Sequence, residues 1–216
     1  MSAARRGFRP GRRRWLAAAL LWCSLVITAP SPAADAPGDA LAGPALLAAL
    51  RAGGLILYFR HTSTDFGQND DQMSGYEDCA RQRNLTDRGR DEARAIGAAI
   101  RRLRIPVGDV LASPFCRTRE TAQLIFGRLR VDAAVRGGPA SDEASDRYTA
   151  LRQLLSTPPP PGTVLAIASH GNPFRAVAGA PYLGEGEAAV IRPLGASGFR
   201  VVARIPKDGW TALEAP

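Results

Sequence analysis

Leu55-Ile-Leu-Tyr-Phe-Arg60-His61-Thr62 is predicted to be a buried strand that ends in a cation and an imidazole. A short apolar run after a turn-forming pair, here Gly53-Gly54, is typical of a central strand covered on both faces. A second such run, Val164 to Ala168, is followed by Ser169-His170. Ligands of open α/β sheets bind just beyond the carboxyl ends of strands. The chain has two histidines, and we expect them to face each other across one site.

The rest of the chain alternates segments of helical and strand-like periodicity. Helices are predicted at 44–51, from the N-cap Thr86 to before Pro106, from the turn at 113–117 to about 126, at 143–155 and from Pro173. Strands are predicted at 110–112, within 129–135, at 188–192 and at 199–205. This order predicts an α/β fold, a three-layer α/β/α sandwich with a mostly parallel central sheet.

Residues 1–34 have the three parts of a secretory signal peptide. A basic stretch to Arg14 precedes an apolar run from Trp15 to Ile27, and small residues follow. The run is shorter than the roughly 20 residues of a membrane span, so no stable span is expected after signal removal. An uncleaved anchor is the alternative. Arg5-Arg6-Gly7-Phe8 partly resembles a twin-arginine signal. We therefore expect a periplasmic or secreted protein with a flexible segment at 35–42 and one domain at 43–216.

The net charge of +8 is concentrated in the predicted signal peptide, which holds six arginines and no acid. The remainder carries 22 basic and 20 acidic residues, a balance that argues against nucleic-acid binding. Outside the signal lie Cys79 and Cys116, which in an oxidising compartment either pair or remain two buried thiols. Neither has the spacing of a metal site.

A long polar segment, 62–83, begins at the proposed site. Loops of this length are uncommon unless they are functional or disordered. A lid or substrate-selecting loop and a solvated insertion are both open interpretations.

The chemistry of the strand ends favours a phosphate monoester. Arg60 and Arg117 offer guanidinium groups, which match phosphate oxygens bidentately. An imidazole such as His61 or His170 is available in neutral form near pH 7 and can form a covalent phosphohistidine. Phosphoryl transfer depends mostly on positioning and charge neutralisation, so neither a metal nor a cofactor is expected.

Four blocks resemble the histidine phosphatase superfamily, the phosphoglycerate-mutase-like proteins. They are Arg60-His61-Thr62, Asn84-Leu-Thr-Asp-Arg-Gly89 with Ala93, Ser113-Pro-Phe-Cys-Arg117 with Thr121-Ala122, and Ser169-His170-Gly171. They occur in the family's order, and the chain looks like an exported bacterial member. The resemblance implies that His61 is the nucleophile, that Arg60 and Arg117 bind the phosphoryl group, and that His170 stabilises the transition state. It also implies that Ser113 and Thr121 support local structure.

Two features depart from the family's pattern. Thr62 replaces a glycine, which is expected to add a side chain next to the phosphate. The family's usual proton-donating carboxylate is also missing from its place, where Val135-Arg-Gly-Gly138 stands. We favour Glu143 as the donor. The alternatives are Asp142, Asp146 and Asp65.

The sequence therefore predicts an exported, metal-independent phosphomonoester hydrolase that acts on a small phosphorylated substrate. Two alternatives stay open: a non-catalytic phosphate-ligand-binding envelope protein that kept the fold, and a metal-dependent hydrolase that uses both histidines. Neither the substrate nor the oligomeric state can be read from the sequence.

Overall fold

A computed structural model describes residues 40–138 and 146–214 of the chain. The helices are α1 (Gly43–Ala52), α2 (Asp87–Arg102), α3 (Cys116–Phe126), α4 (Thr149–Ser156) and α5 (Gly171–Ala178). The strands are β1 (Ile56–Arg60), β2 (Val107–Ala112), β3 (Arg130–Val131), β4 (Val164–Ser169), β5 (Ala188–Pro193) and β6 (Phe199–Ile205). Short 3₁₀ turns lie at Cys79–Arg81, Ala133–Val135, Gly195–Ser197 and Gly209–Glu214.

The six strands form one mixed sheet in the order β3-β2-β4-β1-β5-β6. Strands β3, β2, β4 and β1 pair in parallel, and β5 and β6 extend the sheet in antiparallel pairing. Because β1 and β4 are adjacent with Arg60 opposite Ser169, the two histidines that follow these residues leave the sheet side by side. The His61 N–H donates to the Ser169 carbonyl at 3.0 Å.

Side chains on opposite faces of β1 enter separate cores. Leu57 and Phe59 pack in one core with residues of α1, α2 and α3, whereas Ile56 and Tyr58 pack in the other with residues of α4 and α5. All four side chains are fully buried, as expected for a strand covered on both faces. The predicted three-layer α/β/α fold is confirmed.

The N-terminus of α2 confirms the predicted cap. The Thr86 hydroxyl accepts a hydrogen bond from the Gly89 N–H at 3.0 Å, and the Thr86 N–H donates to the Ser63 carbonyl. Capping satisfies a backbone donor that the helix itself leaves unpaired. The start of α2 is thus anchored to Ser63, which lies two residues beyond the proposed nucleophile.

Several boundaries differ from the sequence prediction. Helix α5 begins at Gly171, two residues before Pro173, because a proline within the first helical turn needs no N–H partner. Strand β3 is two residues long, and a 3₁₀ turn follows it. In the predicted helix 143–155, residues 143–145 lie outside the described part and regular α-helix begins at Thr149. Leu41, from the segment expected to be flexible, donates its N–H to Val202 of β6.

The long polar segment after β1 is fastened to α3. Cys79 and Cys116 form a disulfide with a Cα–Cα distance of 5.7 Å, so the paired alternative holds. Beside it, the Gln82 side-chain oxygen accepts a hydrogen bond from the Cys116 N–H at 2.9 Å. We call residues 62–83 the tethered loop.

No helix within the described residues is long and apolar enough to cross a membrane. The predicted signal peptide lies outside those residues.

Candidate active site

One cavity of about 530 Å³ lies at the carboxyl edge of the parallel strands. Arg60 and His61 come from the end of β1, His170 from the end of β4, and Arg117 from the first turn of α3, which follows β2. All four residues line the cavity. The structure thus brings together the four side chains on which the sequence prediction depends.

The His61 ring is buried and oriented by the backbone. Its Nδ1 lies 3.0 Å from the Thr62 carbonyl oxygen. Since a carbonyl can only accept, Nδ1 carries the proton and Nε2 keeps its lone pair. Burial lowers the pKa of His61 well below its ordinary value, the Thr62 hydrogen bond opposes this shift, and the positive charges of Arg117, Arg60 and Arg83 reinforce it. Burial therefore favours the neutral form of His61, with the lone pair on Nε2.

The His170 ring lies beside that of His61, with 5.5 Å between ring centroids. Its Nε2 is 2.8 Å from the Ser113 hydroxyl, which fixes the plane of the ring. Burial lowers the pKa of His170 well below its ordinary value, and the charge of His61, when present, and those of nearby arginines add to this effect. The Tyr58 hydroxyl also lies 2.9 Å from the His170 carbonyl. Both imidazoles thus occupy fixed positions in neutral form.

The arginines at the strand ends are held by separate contacts. Arg60 donates to the Leu183 carbonyl at 2.9 Å and lies 3.4 Å from a Glu185 oxygen. Both terminal nitrogens of Arg117 donate hydrogen bonds to the Asp70 carboxylate, at 2.9 and 3.0 Å. Charge-assisted bidentate pairs of this kind are strong and directional.

Three residues of the site were not predicted from the sequence: Arg83, Asp70 and Glu185. Arg83 and Asp70 line the cavity and come from the tethered loop. Glu185 comes from the segment after α5, where its carboxylate lies 3.9 Å from His61 Nδ1 and accepts the Thr64 hydroxyl at 2.6 Å. Arg83 stands two residues before the Leu85-Thr86 block, and that proximity is the one signal that could have drawn attention to it.

Three arginines, Arg60, Arg83 and Arg117, line the same cavity. Their guanidinium groups bring three positive charges to one enclosed space. A tetrahedral oxyanion in the cavity offers acceptors suited to such groups. The arrangement can therefore bind a phosphoryl group beside a neutral imidazole.

The expectation for Thr62 was wrong. Its side chain is fully buried and its hydroxyl lies 3.4 Å from that of Thr121 on α3, so it does not line the cavity. Thr121 in turn donates to the Arg117 carbonyl at 2.8 Å. The side chain that replaces glycine thus packs against the helix that carries Arg117, away from the phosphate site.

The candidate proton donors fall into two groups. Glu143 and Asp142 lie outside the described residues. Asp146 and Asp65 are exposed and do not line the cavity. The Asp65 carboxylate instead accepts the Gly67 N–H at 2.9 Å in a local turn. Residues 40–138 and 146–214 also contain no cluster of three His, Cys, Asp or Glu side chains that could hold a metal ion.

The sequence of this region matches a known family. Residues 56–138 match the profile of the histidine phosphatase superfamily (branch 1). This range includes His61 and Arg117 and ends before His170. No curated protein sequence is significantly similar to the chain.

Solved structures share the fold at low sequence identity. A protein assigned as the phosphohistidine phosphatase SixA from Agrobacterium tumefaciens superposes with a TM-score of 0.50 at 15% identity, over 71% of this chain and 98% of that one. A mycobacterial glucosyl-3-phosphoglycerate phosphatase in complex with VO₃ superposes with a TM-score of 0.50 at 17% identity, over 69% of this chain and 97% of that one. At such identities the likeness shows the fold alone.

Proposed function

The chain belongs to the histidine phosphatase superfamily, and from this premise we propose that it hydrolyses phosphomonoesters through a covalent phosphohistidine on His61. The family match supports a phosphatase function. The observation that carries the finer proposal is the meeting of two neutral imidazoles and three arginines around one cavity. We assign the phosphate-binding role to Arg60, Arg117 and Arg83, with His170 beside them.

The first step forms a bond between His61 Nε2 and phosphorus while the ester oxygen leaves with its electron pair. As that bond forms, the imidazole ring becomes positive. Glu185, 3.9 Å from Nδ1, stabilises this charge, as a carboxylate does behind a catalytic histidine in other enzymes. His170 and the guanidinium groups stabilise the charge on the equatorial phosphoryl oxygens. Water then attacks the phosphohistidine and releases phosphate.

The preference for hydrolysis over phosphoryl transfer between metabolites follows from the predicted signal peptide in residues 1–34. An exported protein has water as its readily available acceptor. We propose a periplasmic or secreted location and metal-independent turnover. Reporter fusion to residues 1–34, followed by cell fractionation, tests the location.

The test of activity uses the purified protein, 4-nitrophenyl phosphate and excess chelator. Wild type is expected to turn over the substrate, and His61→Ala is expected to abolish turnover. Arg117→Ala is expected to lower kcat/KM by at least about a hundredfold, because charge-assisted hydrogen bonds to the substrate are lost.

The matched control is Arg119→Ala on the same helix. Arg119 pairs with Glu77 at 2.8 Å and does not line the cavity, so its variant should behave as wild type. Phosphate binding without turnover by any form would support the non-catalytic alternative. Loss of activity with chelator would support the metal-dependent one.

A further inference from the structure

The tethered loop places a carboxylate directly against a phosphate-binding guanidinium. Asp70 Oδ1 and Oδ2 lie 2.9 and 3.0 Å from the two terminal nitrogens of Arg117. Asp70 Oδ1 also accepts a hydrogen bond from the backbone N–H of Arg83 at 2.9 Å. The Arg117 side chain is 5% exposed and that of Asp70 is 30% exposed, so the pair lies at the boundary between the cavity and solvent.

We propose that Asp70 is the catalytic acid that protonates the leaving-group oxygen, an assignment that rests on the function proposed above. Both Asp70 and the substrate phosphoryl group are anions that can accept two hydrogen bonds from the planar guanidinium group of Arg117. The phosphoryl oxygens replace the Asp70 carboxylate as acceptors of the Arg117 N–H groups. The Asp70 carboxylate is then unpaired from Arg117 but still lines the same cavity.

For this role, the released Asp70 carboxylate takes up one proton from the solvent as the substrate binds. It gives this proton to the ester oxygen as the phosphorus–oxygen bond breaks, and it leaves the step as a carboxylate. In the second step it accepts one proton from the water that attacks the phosphohistidine, and it returns this proton to the solvent when phosphate leaves and the carboxylate pairs with Arg117 again.

The tethered loop holds the Asp70 carboxylate in place after its contact with Arg117 is broken. The backbone N–H of Arg83 still donates to Asp70 Oδ1, and the backbone N–H of Met73 donates to the Asp70 carbonyl at 3.3 Å. Further along the loop, the Cys79–Cys116 disulfide joins it to the helix that carries Arg117. Backbone contacts and the disulfide therefore hold Asp70 beside the cavity without its pairing to Arg117.

Other carboxylates near the site are placed less well. Glu185 lies on the Nδ1 side of His61, whereas the leaving oxygen of an in-line displacement lies beyond phosphorus on the Nε2 side. Asp71 lines the cavity but is exposed, and its backbone N–H donates to the Asn69 side chain. Among the described carboxylates that line the cavity, Asp70 is the one that contacts a phosphate-binding arginine.

Leaving-group dependence tests the assignment. 4-Nitrophenolate leaves without a proton, whereas the alkoxide of glycerol 3-phosphate needs one. We would measure kcat/KM for both esters with wild type, Asp70→Asn, Asp71→Asn as the matched neighbour, and Glu143→Gln as the rival donor. For Asp70→Asn, the ratio of aryl to alkyl kcat/KM is expected to rise by about a hundredfold or more, the usual contribution of a general acid. Asp71→Asn and Glu143→Gln should keep the wild-type ratio.

Inhibition by orthovanadate separates acid catalysis from positioning of Arg117. Without the competing carboxylate, Asp70→Asn should bind vanadate at least as tightly as wild type. An equal loss toward both esters together with weaker vanadate inhibition would overturn the assignment, because Asp70 would then only orient Arg117. A shifted ratio in Glu143→Gln instead of Asp70→Asn would overturn it as well. Wild type that hydrolyses neither ester would overturn the proposed function itself, and this assignment with it.

Discussion

Acidification should destabilise the fold through its two histidines. His61 and His170 are buried, and burial lowers the pKa of each well below its ordinary value. In the unfolded chain each titrates near pH 6.5. As the pH falls below that value, the unfolded state binds protons that the folded state refuses, so the free energy of unfolding decreases. Stability is thus full above pH 6.5 and is lost progressively below it, until the folded-state pKa values are reached.

The size of the effect follows from the number of groups. Between pH 7.5 and 5.5, one histidine that stays neutral when folded costs about 1.4 kcal/mol, and two cost about 2.7 kcal/mol. Urea unfolding at 25 °C in a buffer without phosphate measures this loss as a lower midpoint at an unchanged slope. Phosphate must be absent because a ligand of the folded state would add its own stabilisation.

The matched control is the double variant His61→Asn, His170→Asn, which removes both titrations and leaves the chain without histidine. Its free energy of unfolding should change by less than about 0.5 kcal/mol over the same two pH units. If the double variant loses as much stability as wild type, or if wild type loses none, then the two rings are not buried as neutral bases and the electrostatic account of the site is wrong.

Three further predictions concern the framework of the site. Arg117→Lys keeps the positive charge but loses the bidentate hydrogen bonds of the guanidinium group. It should lower kcat/KM for 4-nitrophenyl phosphate by about ten- to a hundredfold. Serine at both Cys79 and Cys116 removes a cross-link between residues 37 positions apart, and should lower the free energy of unfolding by about 2–4 kcal/mol in urea titrations. Gly89→Ala would place a Cβ against the Ser63 carbonyl and should lower the free energy of unfolding by about 1–3 kcal/mol. An unchanged free energy of unfolding would show that the backbone of Gly89 does not pack tightly against Ser63.

The fold could be predicted from the sequence because its main signals are local. The buried strands β1 and β4 are continuous apolar runs, and the cap at Thr86 is a matter of neighbouring residues. The weak points were places where tertiary contacts decide. Strand β3 is two residues long because it pairs only with the end of β2, and no periodicity can be detected over two residues.

The site could be predicted as far as strand ends define it. Arg60, His61 and His170 leave adjacent parallel strands, so the position of each along the chain gives its position in space. Glu185 is different, because it reaches the site from an irregular segment through contacts with Thr64 and Arg60. A carboxylate in such a segment has no sequence signal that separates it from a solvated surface charge.

The division between strand ends and loop has a consequence for substrate choice. The strand ends, with Arg117 at the start of α3, supply a site for the phosphoryl group, which every monoester shares. The tethered loop adds Arg83 to the phosphate site and Asp70 as the proposed acid, and it also supplies Tyr76, whose ring packs against Phe115 at 5.1 Å along the same cavity. Groups that contact the phosphoryl unit cannot discriminate between esters, because discrimination requires contacts that differ from one substrate to the next. Changes at tethered-loop residues other than Asp70 and Arg83 should therefore alter which ester is hydrolysed, while changes at the strand ends should alter whether any ester is hydrolysed at all.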